Sequence, residues 1–490
     1  MKRALCILLI AIMITAMFSG CTKEPEPLRI CIDAMIDTDY RLLAESNFEK
    51  VEDMMEIFLG RLEDAGGPTD ILVEYIPMSG SERETMLDRL RVEIGSGDGP
   101  DIFIMTCDSK NSKGHKCETL FLMPEKAMNL GTFLSLDEYM EQHTQYAEWD
   151  QMNQVVLDAG KNKEGQQIVP LAYTFPLVTF RQWEASHTPD KSLTWNDMLT
   201  SDDINLRAAA VWTDNLSTDY EGCPFMNSRD GLPEYILGDI ADFETEELLF
   251  TEDELRRCME EIYDLGKRFT EGEFAGASAH YNEFVGINYN EDPGFIDYET
   301  GKKYKIHCGV AANTDATMIP LYSDDGGVTA TITAYAAINR NTLRPKDAYE
   351  VIDFLLSTEI QRGGGIYQYF YADYTDDTQS VPMHNNLMNG PENSLYEWRP
   401  YAIYDMTDEA NPLRPIEANP SRGGWYMKPV NFETYAAVRD QITRARFRSE
   451  LDIQFDKLYW DYHRADLFDT GEQDEIVAKA YETMKRMMKE

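Results

Sequence analysis

Residues 71–105 read ILVEYIPMSGSERETMLDRLRVEIGSGDGPDIFIM, and this stretch decides the fold. Ile71-Leu72-Val73-Glu74-Tyr75-Ile76 is a short β-rich apolar run, the mark of a strand. From about Glu82 to Ile94 the apolar residues Leu87, Leu90 and Ile94 recur at helical spacing, so one face of a helix is apolar. Gly95-Ser96-Gly97-Asp98-Gly99-Pro100 stops that helix, and Asp101-Ile102-Phe103-Ile104-Met105 begins another strand. The glycines follow a helix and precede a strand. A phosphate cradle needs the reverse order, with helix N-terminal amides facing the anion, so this cluster only makes a turn and nucleotide binding is rejected.

Working outward, Leu28-Arg29-Ile30-Cys31-Ile32 is a further strand, opening into the acidic loop Asp37-Thr38-Asp39. A helix is predicted from about Asn47 to Asp64, with Val51, Met54, Met55, Phe58, Leu59 and Leu62 at helical spacing, ended by Gly66-Gly67-Pro68. Strand and helix therefore alternate from residue 28 to 105, which predicts an α/β unit built on a parallel sheet.

The N-terminus reads differently. Lys2 and Arg3 precede Ala4 to Phe18, an apolar run of 15 residues, and Ser19-Gly20-Cys21 follows. The run is short for a hydrocarbon core of about 30 Å and has the layout of a signal peptide. Cys21 after Ser-Gly resembles a bacterial lipobox, which implies cleavage before Cys21 and a lipid on its thiol; Phe18 stands where Leu is usual. Residues 22–27, with Pro25 and Pro27, read as an extended tether.

Composition bounds the rest. A chain of 490 residues with 43% hydrophobic content can build more than one core. Asp and Glu number 87 against 45 Lys and Arg, a formal charge of −42, and loss of Lys2 and Arg3 with the leader makes it −44. Such charge repels nucleic acid and anionic lipid headgroups and admits neutral or cationic ligands. Of the eight cysteines, none forms a CxxC pair or a Cys/His zinc pattern, so no metal or cofactor is expected. Cys107 and Cys117 flank a polar loop and are the pair best placed for a disulfide. The seven histidines form no HExxH motif, and no GxSxG elbow occurs, so the chain does not read as an enzyme.

Five segments in order carry a family resemblance. They are Gly99-Pro100-Asp101-Ile102, Leu134-Ser135-Leu136-Asp137-Glu138-Tyr139, Gly165 to Leu171, Leu193-Thr194-Trp195-Asn196-Asp197-Met198-Leu199, and Gly326 to Ile338 with Pro345 to Gln361. Together they resemble the extracellular solute-binding proteins of ABC importers, in particular the carbohydrate-binding, maltose-binding-protein-like group. The resemblance implies a two-lobed α/β fold, each lobe a mainly parallel sheet flanked by helices. Crossing segments are expected near residues 168–173, 328–335 and 375–385. Residues 28–170 with 331–385 would form lobe 1, and 171–330 with 386–490 lobe 2. It also implies a monomer held at the outer face of the cytoplasmic membrane, partnered by a sugar and by permease subunits.

Sugar binding needs aromatic faces for the ring and polar groups for the hydroxyls, supplied from loop ends. The candidates are Asp37 and Asp39, Thr106 and Asp108, Tyr173 after the first crossing, Trp212, Trp425 on its glycine-flanked loop, and Tyr435 at a helix start. Where the family carries Gly-Pro-Trp, this chain has Gly309-Val310-Ala311-Ala312-Asn313-Thr314. Asn313 becomes the hydroxyl-binding candidate there, and ligand size does not carry over. A glycan-degrading surface lipoprotein and a sensor of a non-sugar solute such as a polyamine are the competing readings.

Overall fold

The structure is a computed structural model that describes residues 26–33, 47–107, 118–181, 193–202, 237–270, 295–296, 303–308, 310–311, 317–323, 326–358, 360, 372–373, 378–379, 381–388, 436–467 and 470–489. It opens with β1 (Leu28–Asp33), α1 (Asn47–Asp64), β2 (Ile71–Ile76), α2 (Gly80–Gly95) and β3 (Ile102–Thr106). β1 lies between β2 and β3 and runs parallel to both. β1 and β3 are almost wholly buried, which is why they read as unbroken apolar runs rather than alternating ones. Met55, Phe58 and Leu62 of α1 and Leu87 and Leu90 of α2 are the buried faces that helical spacing predicts. The glycine cluster is a turn: Gly99 sits at φ 104, where a side chain is strained, and Asn339 Nδ2 donates to the carbonyls of Asp98 and Pro100 at 3.0 Å each.

Next come α3 (Pro124–Asn129), α4 (Asp137–His143), α5 (Gln154–Asp158) and the short strands β4 (Lys161–Asn162) and β5 (Gly165–Gln166). They lead into β6 (Ile168–Thr174) and β7 (Pro176–Arg181). The middle of the chain contributes β8 (Leu193–Thr194), α6 (Trp195–Thr200), β9 (Ala241–Asp242), β10 (Glu247–Leu248) and α7 (Glu252–Thr270). After these lie β11 (Phe295–Ile296), β12 (Lys303–Cys308), β13 (Val310–Ala311) and β14 (Thr317–Tyr322). The chain then returns through β15 (Val328–Ile338) to α8 (Pro345–Leu355), β16 (Ala372–Asp373), β17 (Thr378–Gln379) and β18 (Val381–Pro382). It ends with β19 (Ile442–Phe447), α9 (Glu450–Leu467) and α10 (Gln473–Lys489).

The large sheet has the order β18-β6-β15-β3-β1-β2, with β19 beside β15. β15 organises it. Its C-terminal half, Ala334 to Ile338, is antiparallel to β3, and its N-terminal half, Val328 to Ile332, is parallel to β19. β6 runs antiparallel along its other side. Only Phe175 separates β6 from β7, which lies in the second sheet, β11-β12-β7-β14-β8. The chain leaves β14 of that sheet and re-enters the large one at β15. A third passage lies between β17, in a small sheet with β13 and β16, and β18, which pairs with β6.

The α/β class is as expected, and three details differ. Three of the four pairings in the second sheet are antiparallel, and only β8 with β14 is parallel, so it is not mainly parallel. Lys303-Tyr304-Lys305-Ile306-His307-Cys308 alternates polar and apolar residues, the pattern of an antiparallel strand with one covered face. The expected lobe division also falls inside strands: residues 171–174 belong to β6, 328–330 to β15, and 442–447 pair with β15. Third, Cys107 is a buried thiol rather than a disulfide half, like Cys31 and Cys258, for which no disulfide is expected. Cys107 is packed into the core at the end of β3 while its N–H donates to Thr333 O; Cys117 lies outside the described residues.

Among the described residues two apolar cores result. The larger surrounds the large sheet. There α8 turns Ala348, Val351, Ile352 and Leu355 inward, all fully buried, and Phe354 meets Phe58 of α1 at 5.7 Å between ring centroids. Full burial of such side chains stabilises by about 1.5–3 kcal/mol each. Asp353 on the same helix accepts from the backbone N–H groups of Gln145, Tyr146 and Ala147 at 2.7–3.0 Å, which ties α4 to α8. The helix ends at Leu355, and beyond it Ser357 Oγ accepts from Ile360 N at 3.2 Å. The smaller core joins α7, α9 and α10 around Leu255, Phe455, Leu458, Val477 and Met484, with Met123 inserted. Lys126, buried in α3, donates its Nζ to the carbonyls of Met487 and Met488 at 3.0 Å each. It thereby caps the carbonyl end of the last helix, where a cation complements the dipole.

Candidate ligand cleft

Because β3 and β6 are both antiparallel to β15, the carboxyl ends of β1, β3 and β6 share one edge of the large sheet. Ligands of open α/β sheets bind outside such ends, and here the chain also crosses to the second sheet. Asp33, Thr106 and Thr174 are the last residues of the three strands.

Asp33 and Arg83 are the strongest charged feature at this edge. Arg83 Nη1 and Nη2 donate to Asp33 Oδ1 and Oδ2, both at 2.8 Å, and neither side chain is more than 3% exposed. The rest of the guanidinium is used as well. Nη1 donates to Pro77 O at 2.9 Å, while Nε and Nη2 donate to Glu118 O at 3.0 and 2.8 Å. The rigid fork of five N–H donors suits one arginine to all of these. The clamp joins the end of β1, the loop after β2 and Glu118, where the chain returns to the described residues. The sequence does give a signal for it, an Asp closing an apolar strand and an Arg in the acid-favouring first turn of a helix, but the spacing does not pair them.

Thr106 is 6% exposed and its Oγ1 donates to Thr333 O at 3.4 Å. Tyr173 is fully buried, and its hydroxyl accepts from Asn153 Nδ2 at 3.4 Å. Its strand is covered throughout, so the ring packs near Phe175 at 6.3 Å instead of presenting a face to ligand. In this conformation the structure brings these two candidates to the crossing and buries both. Asp37, Asp39, Asp108, Trp212, Asn313, Trp425, Tyr435 and the anchoring Cys21 lie outside the described residues.

The second crossing is a tight turn. Ser323 N and Oγ both donate to Gly327 O, at 2.9 and 2.8 Å, and Gly326 N donates to Ser323 O at 2.8 Å. A Cβ on Gly327 would lie 1.7 Å from Thr443 Oγ1 and 2.8 Å from Thr443 Cβ, so only glycine lets β19 approach here. At the third crossing His384 is buried and its Nε2 lies 2.7 Å from Glu148 Oε2 and 3.3 Å from Thr358 Oγ1. The hydrogen bonds from His384 and Thr358 hold the Glu148 carboxyl below its ordinary range. These contacts tie the third crossing to Thr358, just beyond α8, and to Glu148, before α5. Among the described residues, no group of three or more His, Cys, Asp or Glu could hold a metal ion. No helix there is long and apolar enough to cross a membrane.

No family model matches the chain, and no curated protein matches it in sequence. Solved structures do match. An extracellular solute-binding protein of family 1 from Alicyclobacillus acidocaldarius aligns over 94% of this chain and 98% of its own, with a TM-score of 0.50 at 12% identity. A periplasmic oligogalacturonide binding protein from Yersinia enterocolitica aligns over 94% and 99%, with a TM-score of 0.51 at 12% identity. The chain has the α/β fold of the extracellular solute-binding proteins.

Proposed function

We propose that this chain is a lipid-anchored extracellular solute-binding protein, not an enzyme, that captures a carbohydrate between two lobes and delivers it to the permease of an ABC transporter. The observation that carries this is the pair of strands β6 and β15, hydrogen-bonded to each other at the centre of the large sheet and each continuous with the second sheet. Two bodies joined through such segments can rotate about them, and ligand bridging both favours the closed arrangement. The oligogalacturonide-binding protein with the same fold supports a sugar, and the leader ending at Cys21 supports the anchor. Asp37, Asp39, Asp108, Trp212, Asn313, Trp425 and Tyr435 would line the cleft, with the indoles and Tyr435 stacking on sugar rings and the polar groups bonding hydroxyls.

The test is a thermal-unfolding screen of the full chain against oligogalacturonides, α-glucans, other oligosaccharides, amino acids and polyamines. Ligand at about 100 times its dissociation constant adds about 2.7 kcal/mol, a clear shift in midpoint. A shift with one glycan family that Trp425→Ala abolishes is the expected result. No response to any glycan, or glycan cleavage products in the wells, would overturn the reading.

A further inference from the structure

Five large apolar side chains stand exposed among the described residues, and four of them gather at one edge of the fold. Leu343 is 94% exposed, Val92 72%, Leu130 68% and Leu72 48%. Single exposed leucines are ordinary; a group of them around one edge marks a contact surface. The edge is the one where β1, β2, β3 and β6 begin and β15 ends. Hydrogen bonds stitch its loops together. Asn339 Nδ2 reaches Asp98 O, just beyond the last turn of α2, which carries Val92. Arg340 N donates to Thr132 O at 3.0 Å, two residues after Leu130, and Arg344 Nη1 donates to Asp70 O at 3.2 Å, two residues before Leu72. The fifth side chain, Leu249, belongs to a residue whose N–H donates to Ile240 O by the smaller core.

The same edge receives the start of β1. Leu28 N donates to Asp70 O at 2.8 Å, and Arg344 Nη1 donates to Glu26 O at 3.4 Å. Five residue steps lead from Cys21 to Glu26. A stretched chain covers about 3.5 Å per residue, so this link spans at most about 18 Å. A lipid on Cys21 lies at the bilayer surface and keeps the edge beside the headgroups. Charge does not hold it there. Arg340 is paired with Glu164, Arg344 with Asp70 and Asp347, and the chain carries a formal charge of −42. The aliphatic side chains are what this edge offers to lipid.

We propose that this edge is a membrane-contact surface, with Leu343, Val92, Leu130 and Leu72 resting in the headgroup boundary of the bilayer. The inference rests on the lipid anchor of the proposed function. Interfacial surfaces seat apolar side chains about 5–10 Å into that boundary. A short tether makes such weak contacts effective, because it holds them at high local concentration. β1 is six residues long, which at about 3.3 Å per residue sets Asp33 and the strand-end edge about 20 Å away across the sheet.

The test is photo-crosslinking of the full mature chain, purified from membranes and reconstituted in phosphatidylcholine vesicles whose headgroups carry a diazirine. Adducts located by mass spectrometry are expected at Leu343, Val92, Leu130 and Leu72, and not at Glu118 beside the strand ends. They should persist in high salt, because the contact is aliphatic. Leu343→Glu combined with Leu130→Glu changes two exposed positions, where folding tolerates substitution. It should lower the adducts at Val92 and Leu72 at least about tenfold. Equal labelling at Glu118, adducts lost in high salt, or adducts indifferent to the double substitution would overturn the proposal and leave the anchor standing. The intact mass reads the anchor separately: a mature chain without diacylglycerol on Cys21 overturns the anchor, and this inference with it.

Discussion

Replacing Arg83 by Met tests whether the clamp at the strand-end edge holds β1 and α2 together. The substitution keeps an apolar stem of similar length and removes two charge-assisted hydrogen bonds of 2.8 Å to Asp33. It leaves that carboxylate buried without its guanidinium and strips Pro77 O and Glu118 O of Arg83 as donor. Removing one partner of a buried ion pair costs about 3–5 kcal/mol, mostly the burden of the charge left behind. With Asp33 at 0% exposure, solvent screening does not soften that figure. With two cores the chain is not expected to unfold in one step, so the readout is native-state hydrogen exchange of the amides of β1 and α2. Their opening free energies should fall by about 3–5 kcal/mol, with the amides of α9 and α10 unchanged. Pairing Arg83→Met with Asp33→Asn should recover part of the loss, because the buried charge is then gone. A loss below about 1 kcal/mol, or a double variant no more stable than Arg83→Met, would refute the reasoning.

Two further outcomes follow from the crossings and from Glu125. Gly327→Ala places a methyl against Thr443, so native-state hydrogen exchange of the β15 and β19 amides should show a loss of about 1–3 kcal/mol that Thr443→Gly restores; no loss, or no rescue, would mean the turn has room to move. For Glu125, burial raises the folded-state value from 4.5 to about 7, so its contribution is complete below the unfolded value and disappears as pH rises through 7. Glu125→Gln, which cannot ionise, should therefore gain on the parent chain by about 3 kcal/mol between pH 4 and pH 8, as read by native-state hydrogen exchange of the β19 amides. Parallel pH profiles would show that the carboxyl is not held in its buried, neutral form.

The elements nearest the N-terminus were the most legible. The helix at Asn47–Asp64 and the strand at Ile71–Ile76 coincide with their sequence readings, and β1, β3 and α2 differ by one or two residues at their ends. Each is long or strongly periodic, and its own residues decide which face is buried. The antiparallel second sheet was available in the alternation of Lys303 to Cys308 and was overridden by the expectation of parallel sheets.

Local pattern by itself therefore determined the α/β class and the turn at Gly99, since spacing and backbone freedom are properties of neighbouring residues. Only the tertiary structure decided what meets at the strand ends and around Glu125. Asp33 and Arg83 are 50 residues apart, Gly327 meets Thr443, and Glu125 receives the N–H of Phe447 across 322 residues. No periodicity pairs residues at such separations. Their meeting depends on the order in which strands join a sheet, and burial then turns ordinary side chains such as Tyr173 and Glu125 into a packed ring and a shifted acid.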